Sequence, residues 1–201
     1  MIDGPLLWYL NRGSGVVALV LLTLTTVLGV LALGGRPGSR VPRFVVQSVH
    51  RNVALLAVLT LLLHVVTAVA DEYVDIRWYH ALVPFSGALH RPWLGLGAVA
   101  LLLLVAVVAS SLLRHRLTRR TWYSVHQAVW LLWLASVLHG IGMGSDLADQ
   151  WWLVTVGSVA AVSAAAAWRV TRTLLDRGTL ASATAGTHHD TDMTMPIRRL
   201  P

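Results

Sequence analysis

WYSVHQAVWLLWLASVLHGIGMGS, Trp122 to Ser145, is an apolar stretch of membrane length that carries two histidines, His126 and His139, thirteen residues apart. Ionisable groups are costly in hydrocarbon, so in such a stretch they turn toward the interior of a helix bundle and mark function. HRNVALLAVLTLLLHVVTAVA, His50 to Ala70, repeats the device with His50 and His64, fourteen residues apart. At about 1.5 Å of rise per residue the two steps cover about 19.5 Å and about 21 Å along a helix. The chain thus holds two helices, each with two histidines at nearly equal separation.

The composition agrees with a membrane setting. Of 201 residues 56% are hydrophobic and only 12% charged, and the mean hydropathy is +0.66. The apolar residues fall into runs long enough to span a bilayer, which predicts an all-α integral membrane protein. All 16 basic residues are arginine, and the nine acids lie outside the apolar spans, so the net charge of +7 belongs to loops and tail. These arginines flank spans instead of lining one groove, which argues against a nucleic-acid partner. There is no cysteine. Disulfides, thiolate-held iron–sulfur clusters and cysteine-ligated haem are excluded, and histidine is left as the strong nitrogen ligand. Abundant Ala, Val, Leu and Arg without lysine suggest a GC-rich genome, and with the spans a bacterial plasma membrane.

Five spans are predicted: Gly15 to Leu33, His50 to Ala70, Leu94 to Leu113, Trp122 to Met143, and Trp151 to about Val170. Each is close to the roughly 20 residues that a helix needs to cross. Met1 to Gly13 reads as a short amphipathic segment with Trp8 and Tyr9 as an interfacial anchor. A signal peptide is disfavoured because Arg36, Arg40 and Arg43 follow the first apolar run instead of preceding it. The loops alternate in charge. Gly34 to Gln47 has three arginines, Asp71 to Trp93 three acids, Arg114 to Arg120 four arginines, Gly144 to Gln150 two aspartates, and Arg169, Arg172 and Arg177 follow the last span. By the positive-inside rule the amino terminus lies outside and the carboxyl terminus in the cytoplasm. Residues 1–175 form the transmembrane domain. From Asp176 the chain turns to Thr, Ala and Gly without periodicity, and Gly178 to Pro201 reads as a disordered cytoplasmic tail.

This topology sets the histidine depths. His50 and His126 lie toward the inner face, His64 and His139 toward the outer, and each pair can clamp one planar ligand between facing helices. Two matched levels are what a pair of stacked haems needs. On the second span Ala54, Ala57 and Leu61 continue the His50 stripe to His64, leaving either room for porphyrin or a close helix contact. On the fourth, thirteen residues at about 100° each leave His139 about 140° away from His126, which tilt, a π-bulge or imidazole reach has to absorb. Trp130 and Trp133 sit on the His126 face, as apolar filler or beside an electron path. His80, His90, His115, His188 and His189 read as solvated surface histidines. Arg51, Arg119 and Arg120 at the inner level, and Arg77 and Arg91 at the outer, are candidates to pair with haem propionates, or serve topology alone.

LWYLNRGSGVVALVLLTLTTVLG, HRNVALLAVLTLLLH, VPFSGALHRPWLGLG running to SSLLR, and WYSVHQAVWLLWLASVLHGIGMGSD together resemble the ferric-reductase-like transmembrane domain. That domain is the haem-binding core of NADPH oxidases, ferric reductases and the membrane subunit of the periplasmic methionine sulfoxide reductase system. The resemblance covers roughly Leu7 to Val170. Its most specific part is the two histidine pairs with 13 and 12 intervening residues, used in that family for two bis-histidine haems b. Carried over, the resemblance implies His50 and His126 as axial iron ligands of the inner haem, and His64 and His139 of the outer one. Oxidases and reductases of the family continue into flavin and nicotinamide domains. After the last span here about 30 residues remain, with no glycine-rich nucleotide fingerprint, so NAD(P)H oxidation is expected to need another component.

The expected function is transmembrane electron transfer through the two haems b, from a quinol or a separate cytoplasmic flavin reductase to an outer-side acceptor or partner protein. The chain would then be the membrane subunit of an oxidoreductase. Two other readings stand beside it: a haem-containing anchor for a redox partner, without a substrate of its own, and a small transporter or scaffold whose buried histidines relay protons or bind a metal ion.

Overall fold

The computed structural model describes residues 4–33, 42–71, 76–87, 90–144 and 152–191, with side chains from 6 to 32 in the first stretch and to Arg177 in the last. Arg36, Arg40, Glu72, Asp75, Asp146 and Asp149, on which part of the loop-charge argument rests, lie outside the described residues, as do the side chains of His188 and His189. Among the described residues every regular element is helical: α1 Gly4–Leu33, α2 Arg43–Ala70, α3 Trp78–Leu82, α4 Arg91–Leu112, α5 Arg119–His126, α6 Val129–Met143 and α7 Trp152–Thr191. Five candidate membrane spans result, with α5 and α6 together forming the fourth, Arg119–Met143. The chain is an all-α membrane protein of five spanning helices.

The helices overrun the apolar runs that predict them. α1 starts eleven residues before Gly15 and takes in Trp8 and Tyr9, so the amino-terminal anchor is its first turns. α2 and α4 each begin at an arginine, Arg43 and Arg91, next to a proline. Proline suits a helix start because its missing N–H would be unpaired there anyway, while arginine can carry its charge out to the interface. α5 is capped by Thr118, whose Oγ1 accepts from the Thr121 N–H at 3.2 Å. α7 continues past Gly178 to Thr191, a segment rich in Thr and Ala with no proline before Pro196.

α1 is the centre of the packing. It lies along α2 and touches α6 and α7, while α4 packs on α6. Halfway between the two histidine levels, Ala57 of α2, Ala100 of α4 and Ala135 of α6 meet Leu22, Leu104 and Leu132 in a closed core. Ala57 is thus a packing residue. Alanines suit this place because helix association in lipid relies on close van der Waals contact. On the other side of α1, Trp133 packs against Val137 and Val162 and donates its indole N–H to Thr23 Oγ1 at 3.1 Å. Trp130 is more exposed, and its indole N–H reaches Gln127 Oε1 at 3.1 Å. The leucines at 55, 56, 59, 62 and 63 of α2 face outward, as a lipid-contacting surface requires.

Candidate functional site

The four histidines of the two apolar helices come together in two pairs. His50 and His126 have ring centroids 6.4 Å apart, and His64 and His139 have theirs 6.3 Å apart. All four rings are half-buried. Two imidazoles on opposite sides of one metal ion, each with a metal–nitrogen bond of about 2 Å and about 1.1 Å from that nitrogen to the ring centre, would lie about 6.2 Å apart. The observed spacings fit that clamp.

The hydrogen bonds orient three of the rings. His50 Nδ1 lies 3.0 Å from Thr25 O, His64 Nδ1 2.9 Å from Asn11 O, and His139 Nδ1 2.8 Å from Trp93 O. A carbonyl oxygen only accepts, so each Nδ1 carries the proton and donates. A neutral ring then keeps its lone pair on Nε2, the tautomer that ligates a metal while its other nitrogen is held by the protein. Asn11 also returns a bond, donating from its side-chain amide to His64 O at 2.9 Å. His126 differs. Its Nδ1 is buried without a partner, as is the indole N–H of Trp122. Instead the ring stacks on Trp122, with centroids 5.0 Å apart and planes 22° apart. The Arg114 guanidinium covers the Trp122 ring at 4.5 Å.

The backbone takes up part of the angular mismatch between His126 and His139, about 40° of it over two residues. The helix breaks after His126, and Gln127 (φ −66°, ψ −16°) and Ala128 (φ −61°, ψ −11°) take up a 3₁₀-like conformation. Ala128 N–H donates to Val125 O at 3.0 Å and Trp130 N–H to Gln127 O at 3.2 Å, both three residues back. A 3₁₀ turn advances about 120° per residue against about 100° in an α-helix. Thirteen α-helical residues fall about 140° short of four turns, so overwinding moves His139 back toward the His126 face. A π-bulge, one of the devices the sequence left open, would unwind it the other way.

Other residues fall differently from their sequence reading. His80 is not a solvated histidine: it is buried in α3 and accepts the Arg77 N–H on Nδ1 at 3.1 Å. Burial follows because α3 folds this loop onto α4. His90 and His115 are exposed. Arg91 donates its Nε–H to Phe85 O at 2.7 Å, while Arg51, Arg119 and Arg120 are exposed. The arginine beside the His64–His139 pair is Arg12, which ties α1 to the end of α6 through Met143 O at 2.8 Å. At the His50–His126 pair it is Arg114, through Trp122.

The two sites hold two histidines each. Among the described residues no group of three or more His, Cys, Asp or Glu is placed to hold a bare metal ion. Paired axial imidazoles suit instead an iron whose four equatorial nitrogens come from a macrocycle. Between α2 and α4 runs a cleft of about 380 Å³ lined by Val58, Leu61, Val65, Leu101, Leu104 and Val108, walls that accept hydrocarbon and no charge. The model of the family described as ferric reductase like transmembrane component matches residues 14–137, well over half of the chain. The chain belongs to this family. The matched stretch contains His50, His64 and His126 and stops two residues short of His139. Membership in the ferric reductase like family makes a role in membrane electron transfer the general expectation for the bundle. No curated protein matches the chain. No solved structure matches it either.

Proposed function

We propose that this chain is the membrane subunit of an oxidoreductase and binds two haems b, one between His50 and His126 and one between His64 and His139. The observation that carries this reading is the pair of imidazole spacings, 6.4 Å and 6.3 Å, at two levels of one bundle. When bound, haem iron supplies one-electron chemistry by cycling between its ferric and ferrous states. The chain's own residues do the rest. The carbonyls of Thr25, Asn11 and Trp93 hold three ligands by Nδ1, and the Trp122 ring holds the fourth by stacking. The layer of Ala57, Ala100, Ala135 and Leu132 separates the two levels and excludes water. Arg12, held at Met143 O, and Arg114, over the Trp122 ring, are the candidates for haem propionates.

The arginine-rich end carries exposed Arg43, Arg114, Arg116, Arg119 and Arg120. By the positive-inside rule this is the cytoplasmic end, in the plasma membrane of a bacterium, with the His64–His139 pair toward the outside. Electrons enter at the His50–His126 level from a quinol, or from a separate flavin reductase docked on the basic end, and leave to an outer-side acceptor or partner protein. Detergent-purified protein tests this directly. It should show a low-spin b-type spectrum with two haems per chain, and anaerobic mixing should give fast haem reduction by a reduced quinone and none by NADH or NADPH alone. A protein expressed with ample haem that contains none would overturn the haem reading. Rapid reduction by a nicotinamide with no second protein would overturn the donor assignment alone.

A further inference from the structure

Each of the three carbonyls that receive a histidine lies four residues before a glycine: Asn11 before Gly15, Thr25 before Gly29, and Trp93 before Gly97. In an α-helix the N–H of residue i+4 takes one lone pair of carbonyl i, and the side chain of i+4 leans back over that turn. With no side chain at i+4 the second lone pair stays open to a neighbouring helix. A Cβ built on Gly97 would come within 2.6 Å of His139 Nδ1 and 2.7 Å of Cε1. One on Gly15 would lie 2.9 Å from His64 Cε1 and 3.0 Å from Nδ1, and one on Gly29 3.4 Å from His50 Cε1. The spacing repeats across the antiparallel pair, since Gly15 and Gly29 on α1 are fourteen residues apart, as are His50 and His64 on α2. His126 supplies the contrast. It has no carbonyl partner, and thirteen residues beyond Gly97, the His139-to-His126 step, α4 carries buried Ser110 where a fourth glycine would fall.

We propose that Gly15, Gly29 and Gly97 are positioning residues, each opening a main-chain carbonyl to the Nδ1–H of a histidine and so aiming that histidine's Nε2 at iron. The ligand role of the histidines rests on the function proposed above; the hydrogen bond and the tautomer it imposes do not. A carbonyl on Nδ1–H makes an imidazole a more basic ligand and favours ferric iron. Loss of the bond therefore raises the midpoint potential of that haem and weakens its retention, by about tenfold for an outer-shell partner of this kind. His126, without such a partner, makes its own haem the one with unequal axial ligands.

The test is a graded alanine series in the haem-loaded full chain: Gly97→Ala, Gly15→Ala and Gly29→Ala, with Gly140→Ala and Gly13→Ala as controls, since a Cβ at those two meets nothing within 4 Å. Elsewhere in a helix this exchange favours folding. The readouts are haem per chain, the low-spin ferric electron paramagnetic resonance signals, and the two midpoint potentials. Gly97→Ala should change the His64–His139 haem most, with its signal shifted or lost and its potential raised, and Gly15→Ala should do the same more weakly. Gly29→Ala should keep both haems and Gly29→Leu should lose or shift the other one, so the Gly29 pair decides if the tighter sites fail to fold. Signals and potentials equal to those of Gly140→Ala in every variant would overturn the proposal, as would an equal loss of both haems. If wild type binds no haem, imidazole nitrogen-15 resonances decide: Nδ1-protonated His139 that loses this preference in Gly97→Ala supports the assignment, and Nε2-protonated His139 in wild type overturns it.

Discussion

His126 stacks flat on Trp122, ring centroids 5.0 Å apart and planes 22° apart, and its Nδ1 has no hydrogen-bond partner. Its three counterparts are each pinned by a carbonyl. Stacking between aromatic rings contributes about 0.5–1.5 kcal/mol, comparable to one ordinary hydrogen bond, so Trp122 takes over the orienting role. Trp122→Leu should therefore loosen only the His50–His126 haem. Expected are a broadened or lost ferric signal for that haem and about tenfold weaker retention, with the other signal unchanged in the same spectrum.

The pairing itself predicts which substitutions act alike. His50→Ala and His126→Ala should each remove the same haem, and His64→Ala and His139→Ala the other, because an iron left with one imidazole loses its low-spin bis-histidine state. Haem extraction assays should fall from two per chain to one in all four variants. Two haems retained after His64→Ala would break the assignment.

The overwound turn at Gln127–Ala128 contributes to the angle between His126 and His139. One alanine inserted after Ala128 rotates one against the other by about 100°. One pair should then close and one should fail, giving about one haem per chain in a protein that still inserts. Two intact low-spin signals would mean that the turn has no such role.

His80 stands apart from both pairs, buried with its Nδ1 accepting the Arg77 N–H at 3.1 Å. His80→Ala should leave haem content at the wild-type level and cost about 1 kcal/mol. Thermal unfolding followed by circular dichroism should show a midpoint lower by about 2–4 °C.

Topology is checked by fusions. A reporter after Pro201 should signal cytoplasm, and one inserted between Pro84 and Gly87 should signal the outer side. The opposite result would exchange the inner and outer labels of the two histidine pairs.

Much of this was legible in the sequence. Runs of about 20 apolar residues between charged loops determine five spanning helices, because hydrocarbon forces backbone polar groups into helices whatever the neighbours are. Matched histidine separations of fourteen and thirteen residues determine two levels, because the rise per residue is constant along a helix. The matching glycine separation on the first helix is equally visible in the sequence, but a glycine is informative only once the ring opposite it is known. Three things needed the tertiary structure. The angular relation between His126 and His139 depends in part on a local 3₁₀ turn at Gln127–Ala128, which an even helical periodicity in the sequence does not show. The carbonyls of Asn11, Thr25 and Trp93 carry no side-chain signature of their own, since every residue has one, and helix apposition places a histidine against these three. His80 looked like a loop histidine because burial depends on where α3 folds back, which no local pattern specifies.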